Sequence, residues 1–476
     1  MSSGIYAMSK SALYAAQAAL DVTAHNISNA NTPGYSRQSL EIATEEGQFS
    51  GSGFLGRGVR IANITRATNE ALTKESNINI AAAASDATRL NKLEQLEKTL
   101  PLGEQGLGYS ASQFLNSFVD ISNQPLDMSA RQVALARAQE WVSRVRTADQ
   151  QLTQLQSGVI SDLSMNISQV NNLTKQIGEV NQSIANLVGT GKTPNDLLDR
   201  RDKLLADLNK LVQVNTVPAG DGTLTVFLGG GQLLVLGNKA QKLSVARDLN
   251  DGSLARIAIQ TPNSNDPTQP DNRILDGTQL TGGAVQGLLN FQDQDLVAIR
   301  RDLQDFVEDF ANAVNTQQAL GSSGQDALGN PIPGSPIFGG GPPITPGNIS
   351  VALTAPADIA ASGGGTFVAS DNENALAMLG LRDQAIIELD NLNPSTLTDA
   401  YSQMIGNLGV KVQSGRTEAE ISRILEDNST QMLSGETGVN LDEEAAMLIQ
   451  YQQSYQAAAK ALQVAQTVFE TLLSIR

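Results

Sequence analysis

The stretch GETGVNLDEEAAMLIQYQQSYQAAAKALQVAQTVFETLLSIR, residues 435–476, decides how this chain is read. With Leu441 at the first position of a heptad, Leu448, Tyr455, Leu462 and Phe469 recur there, and Tyr451, Ala458, Ala465 and Leu472 fall at the fourth position. That spacing predicts a coiled-coil seam. Gly438 punctuates the chain ahead of it, and Asp442, Glu443 and Glu444 sit in the first turn, facing the positive end of the helix dipole. At the opposite end of the chain, Tyr6, Leu13, Leu20 and Ile27 stand seven apart, with Ser9, Ala16, Thr23 and Ala30 interleaved. The two ends are written to pair. Both stripes are narrow, and Ala, Gln, Ser and Asn flank them instead of the Glu/Lys ladders that support a free-standing coiled coil. The terminal helices are therefore expected to need other subunits before they are fully ordered. A helix pair that merely closes a globular domain has the same periodicity, so the seam alone does not assign a function.

The segment HNISNANTPGYSRQ, residues 25–38, follows the first helix, and its Asn31, Thr32, Pro33 and Gly34 form a turn ahead of Tyr35. It resembles the N-terminal signature of the axial proteins of the bacterial flagellum, the family of rod, hook and hook-associated proteins. The stretch from Gly438 onward resembles the other half of that signature. The GYSRQ ending and the GVNLDEE start favour the hook-associated members over the hook or rod proteins. The resemblance extends inward through NDLLDRRDKLLADLNKLVQVN, residues 195–215, and GLLNFQDQDLVAIRRDLQDFVEDFANAVNTQ, residues 287–317.

The resemblance implies a structural protein of the hook–filament junction. Subunits would form an annular layer whose terminal helices line the inner tube around the export channel. The implied partners are further copies in a ring, the hook protein on one side, the second junction hook-associated protein on the other, and an export chaperone that holds the C-terminal helix. Assembly contacts would be carried by Tyr6, Leu13, Leu20, Ile27, Leu441, Leu448, Tyr451, Tyr455, Leu462, Phe469 and Leu472. Two other readings compete: another axial protein, such as a hook or distal rod component, and an extracellular adhesin-like coiled coil with a β head.

Composition sets the outer bounds. A chain of 476 residues has room for about three domains with real cores. Its 49 acidic against 32 basic residues give a net charge of −17, which argues against nucleic acid or an anionic membrane surface as partner. There is no cysteine, so neither a disulfide nor a thiol site is available. The N-terminus lacks the basic start and continuous apolar core of a secretory signal, and no stretch is apolar for long enough to span a membrane. On composition alone the chain reads as cytoplasmic. The family resemblance implies instead secretion through the flagellar type III export channel on an uncleaved N-terminus.

Catalysis fails on inventory. His25 is the sole histidine, and any Ser/His or His–metal proposal would rest on it. It reads as a packing or surface residue. Gly51, Gly53 and Gly56 satisfy GxGxxG but lead into a strand, so no helix N-terminus could receive a pyrophosphate. The GTGKT of residues 189–193 has Asn186 where a P-loop needs glycine, and a helix precedes it where a strand is needed. The segment DLNDG, residues 248–252, does not keep EF-hand spacing. All three read as turns. No enzyme activity, cofactor or metal is expected.

The fold class is α+β, mainly α. A β-hairpin is expected over residues 35–66 and helices over 69–100, near Phe114–Ile121, and from Ser129, with a Ser129/Gln132 capping box, to about 188. A helix over 195–212 precedes a β-rich insert over 214–283, read as a small barrel or sandwich. Helix resumes over 287–320, a Gly/Pro-rich excursion follows over 321–365, and further helices lie over 375–381 and 397–433. Three domains are expected: a terminal assembly domain of 1–66 with 435–476, a helical rod of 67–213, 284–320 and 366–434, and a β-rich outer domain of 214–283 with 321–365. Nested termini imply an elongated rod with both chain ends at one tip and the β-insert at the other.

Overall fold

A helix of 61 residues, Met128–Val188, sets the axis of the molecule and spans about 90 Å. Around it, the computed structural model describes residues 2–49, 54–189, 193–261, 271–389 and 393–474. In chain order the helices are α1 (Ser2–Asn29), α2 (Glu70–Glu97), α3 (Leu107–Asn116), α4 (Phe118–Asn123), α5 (Met128–Val188), α6 (Asn195–Leu211), α7 (Gly283–Asn290), α8 (Val297–Leu320), α9 (Glu373–Gly380), α10 (Leu397–Thr437) and α11 (Leu441–Ser474). The chain is mainly helical, with long helices at both ends and strands inserted in the middle.

α5 holds together because its buried residues repeat every three or four positions: Ala134, Ala138, Trp141, Val145, Ala148, Leu152 and Gln156 in its first half, and Val159, Leu163, Ile167, Val170, Thr174, Ile177, Asn181 and Ile184 in its second. Its N-cap is Asp127, whose carboxylate accepts from Ser129 N at 2.7 Å, so the expected Ser129/Gln132 box does not start the helix. One aspartate two residues earlier reaches the same free N–H. α2 and α10 run side by side, α8 returns along the first half of α5, and α6 returns along its second half. Between α7 and α8 the helix widens into a π-helical turn, Phe291–Leu296. Within that turn the buried carboxylate of Asp295 receives Arg89 Nε at 2.8 Å and Arg89 Nη2 at 3.1 Å, tying it to α2.

Among the described residues, the middle β region forms two open antiparallel sheets, not a closed barrel. One is a meander of Val214–Pro218, Leu224–Leu228, Leu233–Leu236 and Lys239–Ala240; the other orders Asp271–Ile274, Ala255–Thr261 and Lys242–Arg247. Asparagines on α5 satisfy backbone groups that the sheets leave open, along an edge strand at Leu243 and at a strand start and a turn of the meander. Asn171 exchanges hydrogen bonds with Leu243 N (2.8 Å) and Leu243 O (2.9 Å), and Asn181 accepts from Leu224 N while donating to Leu224 O and Gly237 O. An edge strand that finds its partner on a helix does not need barrel closure.

This docking corrects two expectations. The meander meets the C-terminal end of α5, where Gly222 lies against Ile184 and Val188, so the insert does not stand at the tip opposite the chain ends. The excursion 321–365, grouped with it on sequence, packs instead at the start of α5. There Arg131 donates to Ala357 O (3.1 Å) and Ile359 O (2.8 Å), and Phe338 meets Trp141 with ring centroids 4.9 Å apart.

Gly283 opens α7 at φ +83°, and a Cβ there would run into the backbone of Leu211 and Val212 at the end of α6. Gly283→Ala is expected to lower the free energy of unfolding by at least ~1–2 kcal/mol from backbone conformation alone, read from urea denaturation.

Candidate functional site

The two ends of the chain meet as α1 and α11, which run antiparallel, with Asn26 near the end of α1 beside Glu444 at the start of α11. Small residues form the seam between them. Ser9, Ala15, Ala16, Ala19, Val22 and Thr23 are buried on α1, and Ala458 and Ala465 on α11. Small side chains let the helix axes approach, which pushes larger neighbours to the flanks, where a lone pair of helices has nothing to cover them.

The large seam residues fall on those flanks. Tyr6 is 45%, Leu441 51% and Phe469 53% exposed; Ile27 and Tyr455 are also exposed. Leu13, Leu20, Leu448, Tyr451 and Leu462 are half-buried, while the side chain of Leu472 lies outside the described residues. The large residues at first heptad positions thus border the seam, and the small residues interleaved with them fill it. Ile5, Tyr14, Ile449, Val464 and Val468 add to the exposed apolar surface of the pair. Soluble monomers seldom expose so much apolar side chain in one place.

Polar residues fix this pair to the rod. The turn residues Asn31, Thr32, Pro33 and Gly34 are exposed, and Gly34, at φ +81°, lies over the stem of Lys203 on α6. Tyr35 then turns inward, and its hydroxyl donates to Asn26 Oδ1 at 2.8 Å. Asn26 is nearly fully buried and bonds Gln38 as a strand would, accepting from Gln38 N and donating to Gln38 O, both at 2.9 Å. Asn26 Nδ2 also donates to Glu444 Oε2 at 3.1 Å, and Glu444 Oε1 accepts Arg37 Nε at 2.8 Å. Glu443 takes the other face of Arg37 at 2.9 Å, and Arg37 N donates to Thr437 O at 2.8 Å.

The far side of the network is the start of α6. Asp199 accepts from Ser36 N at 3.2 Å and from Arg66 Nη1 at 2.8 Å; Asp202 reaches the same Nη1 at 2.7 Å, and Asp196 accepts from Gln38 Nε2 at 3.1 Å. Arg66 ends the hairpin of Gln38–Thr44 and Val59–Arg66, in which Gln38 pairs with Arg66. Burial pushes the Tyr35 phenol far above its ordinary value, and the carboxylates of Asp199, Asp196 and Glu444 push it further, so it remains a donor. For Arg66, burial opposes the charge, but Asp202 and Asp199 outweigh it and hold the guanidinium above its ordinary value. His25 lies edge-on to the Tyr35 ring at 5.6 Å, with Nε2 3.7 Å from Asp196, in a packing role.

Of the three turn-like motifs, residues 248–252 form an Asx turn in which Asp248 accepts from Asn250 N at 2.8 Å and pairs with Arg256. Gly51 and Gly53 of the GxGxxG match, and Thr190, Gly191 and Lys192 of GTGKT, lie outside the described residues. Sequence reading singled out Tyr35 but passed over Asn26, Arg37, Arg66, Asp196, Asp199 and Asp202. It placed Glu444 in a helix-dipole role, whereas its carboxylate is spent on Arg37 and Asn26. The spacing of Asp196, Asp199 and Asp202, which sets three carboxylates on one face of a helix start, is the signal that could have found that half of the site.

Comparison with known proteins follows the same division of the chain. Residues 93–338, just over half of it, match the family described as the flagellar hook-associated protein FlgK helical domain. Residues 8–35 match the flagella basal body rod protein family, and residues 432–475 match the C-terminal family of the flagellar basal body rod FlgEFG proteins. Flagellar hook-associated protein 1 of Salmonella typhimurium is 26% identical over 98% of both chains. The relative of the same description from Escherichia coli matches to the same extent, 26% over 98% of each, and that from Bacillus subtilis is 25% identical over 97% of this chain and 96% of its own. A solved structure described as the flagellar hook junction protein FlgK from Burkholderia pseudomallei superposes with a TM-score of 0.68 at 20% identity, covering 75% of this chain and 99% of that one; it shares the fold. Its helical middle matched over more than half its length, and both joined ends matched by axial-protein families, this chain belongs to the flagellar hook-associated protein FlgK family.

Proposed function

We propose that this protein forms the junction layer between the flagellar hook and filament, assembling through its paired terminal helices. The family is one of structural flagellar proteins that self-assemble and associate with hook components. What carries the reading is the exposed apolar flank of the α1–α11 pair, held at a defined place on the rod by a buried polar network. Exposed flanks supply adhesion between copies, and the network makes their position reproducible from one subunit to the next.

In this reading, residues 1–66 with 435–476 are the assembly domain. The large seam residues, Tyr6, Leu13, Leu20, Ile27, Leu441, Leu448, Tyr451, Tyr455, Leu462, Phe469 and Leu472, meet neighbouring subunits in a ring. The hook protein lies on one side of that ring and the second junction hook-associated protein on the other. An export chaperone holds α11 until the chain is secreted to the outside of the cell. The protein works by assembly, not by catalysis, and no helix among the described residues is long and apolar enough to cross a membrane.

Deleting the gene in the source bacterium tests this. Electron microscopy is expected to find hooks without filaments, and swimming is expected to return when the full-length chain is supplied. Filaments at normal frequency on the deletion strain would overturn the proposal.

A further inference from the structure

The second half of α10 turns its polar side inward and its apolar side outward. After Val412 its buried residues are Gly415 and Ser429. The hydrogen bonds that hold it from there on go to α2. Arg416 Nη2 donates to Glu94 Oε1 at 2.9 Å, Ser422 to Asp86, Asn79 to the Leu425 carbonyl at 3.4 Å and Asn69 to Glu436 at 2.9 Å, and Ser76 pairs with Thr430. Its large apolar side chains point elsewhere. Val410, Ile421, Ile424, Leu425 and Met432 are exposed, and so is Ile78 of α2, at the level of Leu425. An amphipathic helix that serves only its own domain turns such residues to the core.

This exposure is ordered along the helix. Arg416, Glu420, Arg423 and Asp427 follow three-and-four spacing along one outer face, which is the solvated one. Ser414, Ile421, Leu425, Asn428 and Met432 follow the same spacing along a different face, which carries no charge. Apolar residues scattered singly over a surface need no explanation, but a continuous stripe marks a contact.

We propose that this uncharged stripe is covered by a second copy of this chain, so that the rod as well as the terminal helices joins neighbouring subunits. The proposal rests on the junction reading above. The family is one that self-assembles. Copies with a net charge of −17 repel one another wherever acidic faces meet, and an uncharged stripe is where they approach at the least Coulombic cost. The stripe also leads into the proposed assembly surface, because α10 ends at Thr437 and the exposed Leu441 and Ile449 of α11 carry the apolar surface onward. Its six side chains offer on the order of 500 Å² of apolar surface, short of the roughly 800 Å² per partner of a standard stable interface. Such a contact is too small to hold a dimer by itself and fits one of several contacts within a layer. A closed ring is built head to tail, so the stripe meets a different face of the neighbouring copy.

Photo-crosslinking in assembled flagella tests this. The deletion strain is complemented with chains carrying p-benzoylphenylalanine in place of Leu425, Met432 or Glu420, and isolated flagella are irradiated. The Leu425 and Met432 positions are expected to give a product of twice the chain's mass that contains peptides of this chain alone, in far higher yield than Glu420 on the charged face. In parallel, Leu425→Glu is expected to leave circular-dichroism melting of the purified protein unchanged and to cut filaments per cell by about tenfold or more, since it forces a carboxylate into the contact. No product at Leu425 or Met432, a product joining them to a different flagellar protein, equal yields from all three positions, or wild-type filament numbers with Leu425→Glu would overturn the proposal. Each of these leaves the junction reading standing, which falls only if the deletion strain itself makes filaments.

Discussion

Phe469→Asp is expected to leave the protein folded and to abolish its assembly. Phe469 is 53% exposed on α11 and touches neither the main core nor the polar network. A substitution at such a site moves stability by no more than about 0.5 kcal/mol, so melting followed by circular dichroism should match wild type. In the proposed ring the same side chain is covered by a neighbouring subunit, and a carboxylate forced into that contact costs several kcal/mol. The penalty recurs at every subunit, so a loss that a single interface could tolerate becomes prohibitive for a closed layer. Cells complemented with this variant are expected to carry hooks without filaments. Leu249→Asp is the control: Leu249 is even more exposed, but it lies in the Asx turn between two strands. Filaments are expected to form normally with it. Normal filaments with Phe469→Asp would remove α11 from the assembly surface.

The largest effect on stability is expected from Trp141→Ala, at about 3–5 kcal/mol. Trp141 is fully buried on α5, with ring centroids 4.7 Å from Phe310 of α8 and 4.9 Å from Phe338 of the Gly/Pro-rich excursion. Phe114 of α3 closes the cluster, 5.5 Å from Phe338 and 6.2 Å from Phe310. Four segments distant in sequence meet at these rings, so truncation opens a cavity that none of them can fill alone. Among the described residues the buried indole Nε1 has no hydrogen-bond acceptor, so Trp141→Phe forfeits no hydrogen bond seen there and is expected to cost far less. Urea denaturation followed by far-ultraviolet circular dichroism separates the two variants. A loss as large for phenylalanine as for alanine would show that the indole makes a contact beyond ring packing.

Much of the fold was legible because its signals are local. The three-and-four spacing along α5, the leucines of α6 and the Asn-Thr-Pro-Gly turn each act within a few residues of themselves, so the helices and the hairpin could be placed from sequence. Sheet closure was not legible. The strands of 214–274 carry the alternation of a barrel or sandwich, but Asn171 and Asn181 on α5 supply backbone groups that the sheets leave open, and nothing in a strand's own pattern announces a partner on a helix. The excursion 321–365 looked like a return to the same β unit because glycine, proline and short strands are common to both. Its actual place is decided by Phe338 and by the carbonyls that Arg131 collects.

The same distinction runs through the functional site. By itself the sequence determined that the chain has two long terminal helices, an acidic and cysteine-free composition with a single histidine, and end motifs of the flagellar axial proteins, because heptad spacing and short motifs are written in neighbouring residues. Only the tertiary structure decided which side of α1 faces α11, and that the small residues, not the large ones, fill the seam. It also decided that Glu444 serves Asn26 across a separation of 418 residues. A heptad pattern marks a helix face without saying what covers it, and a buried carboxylate reads like any other until the chain brings its partners to it.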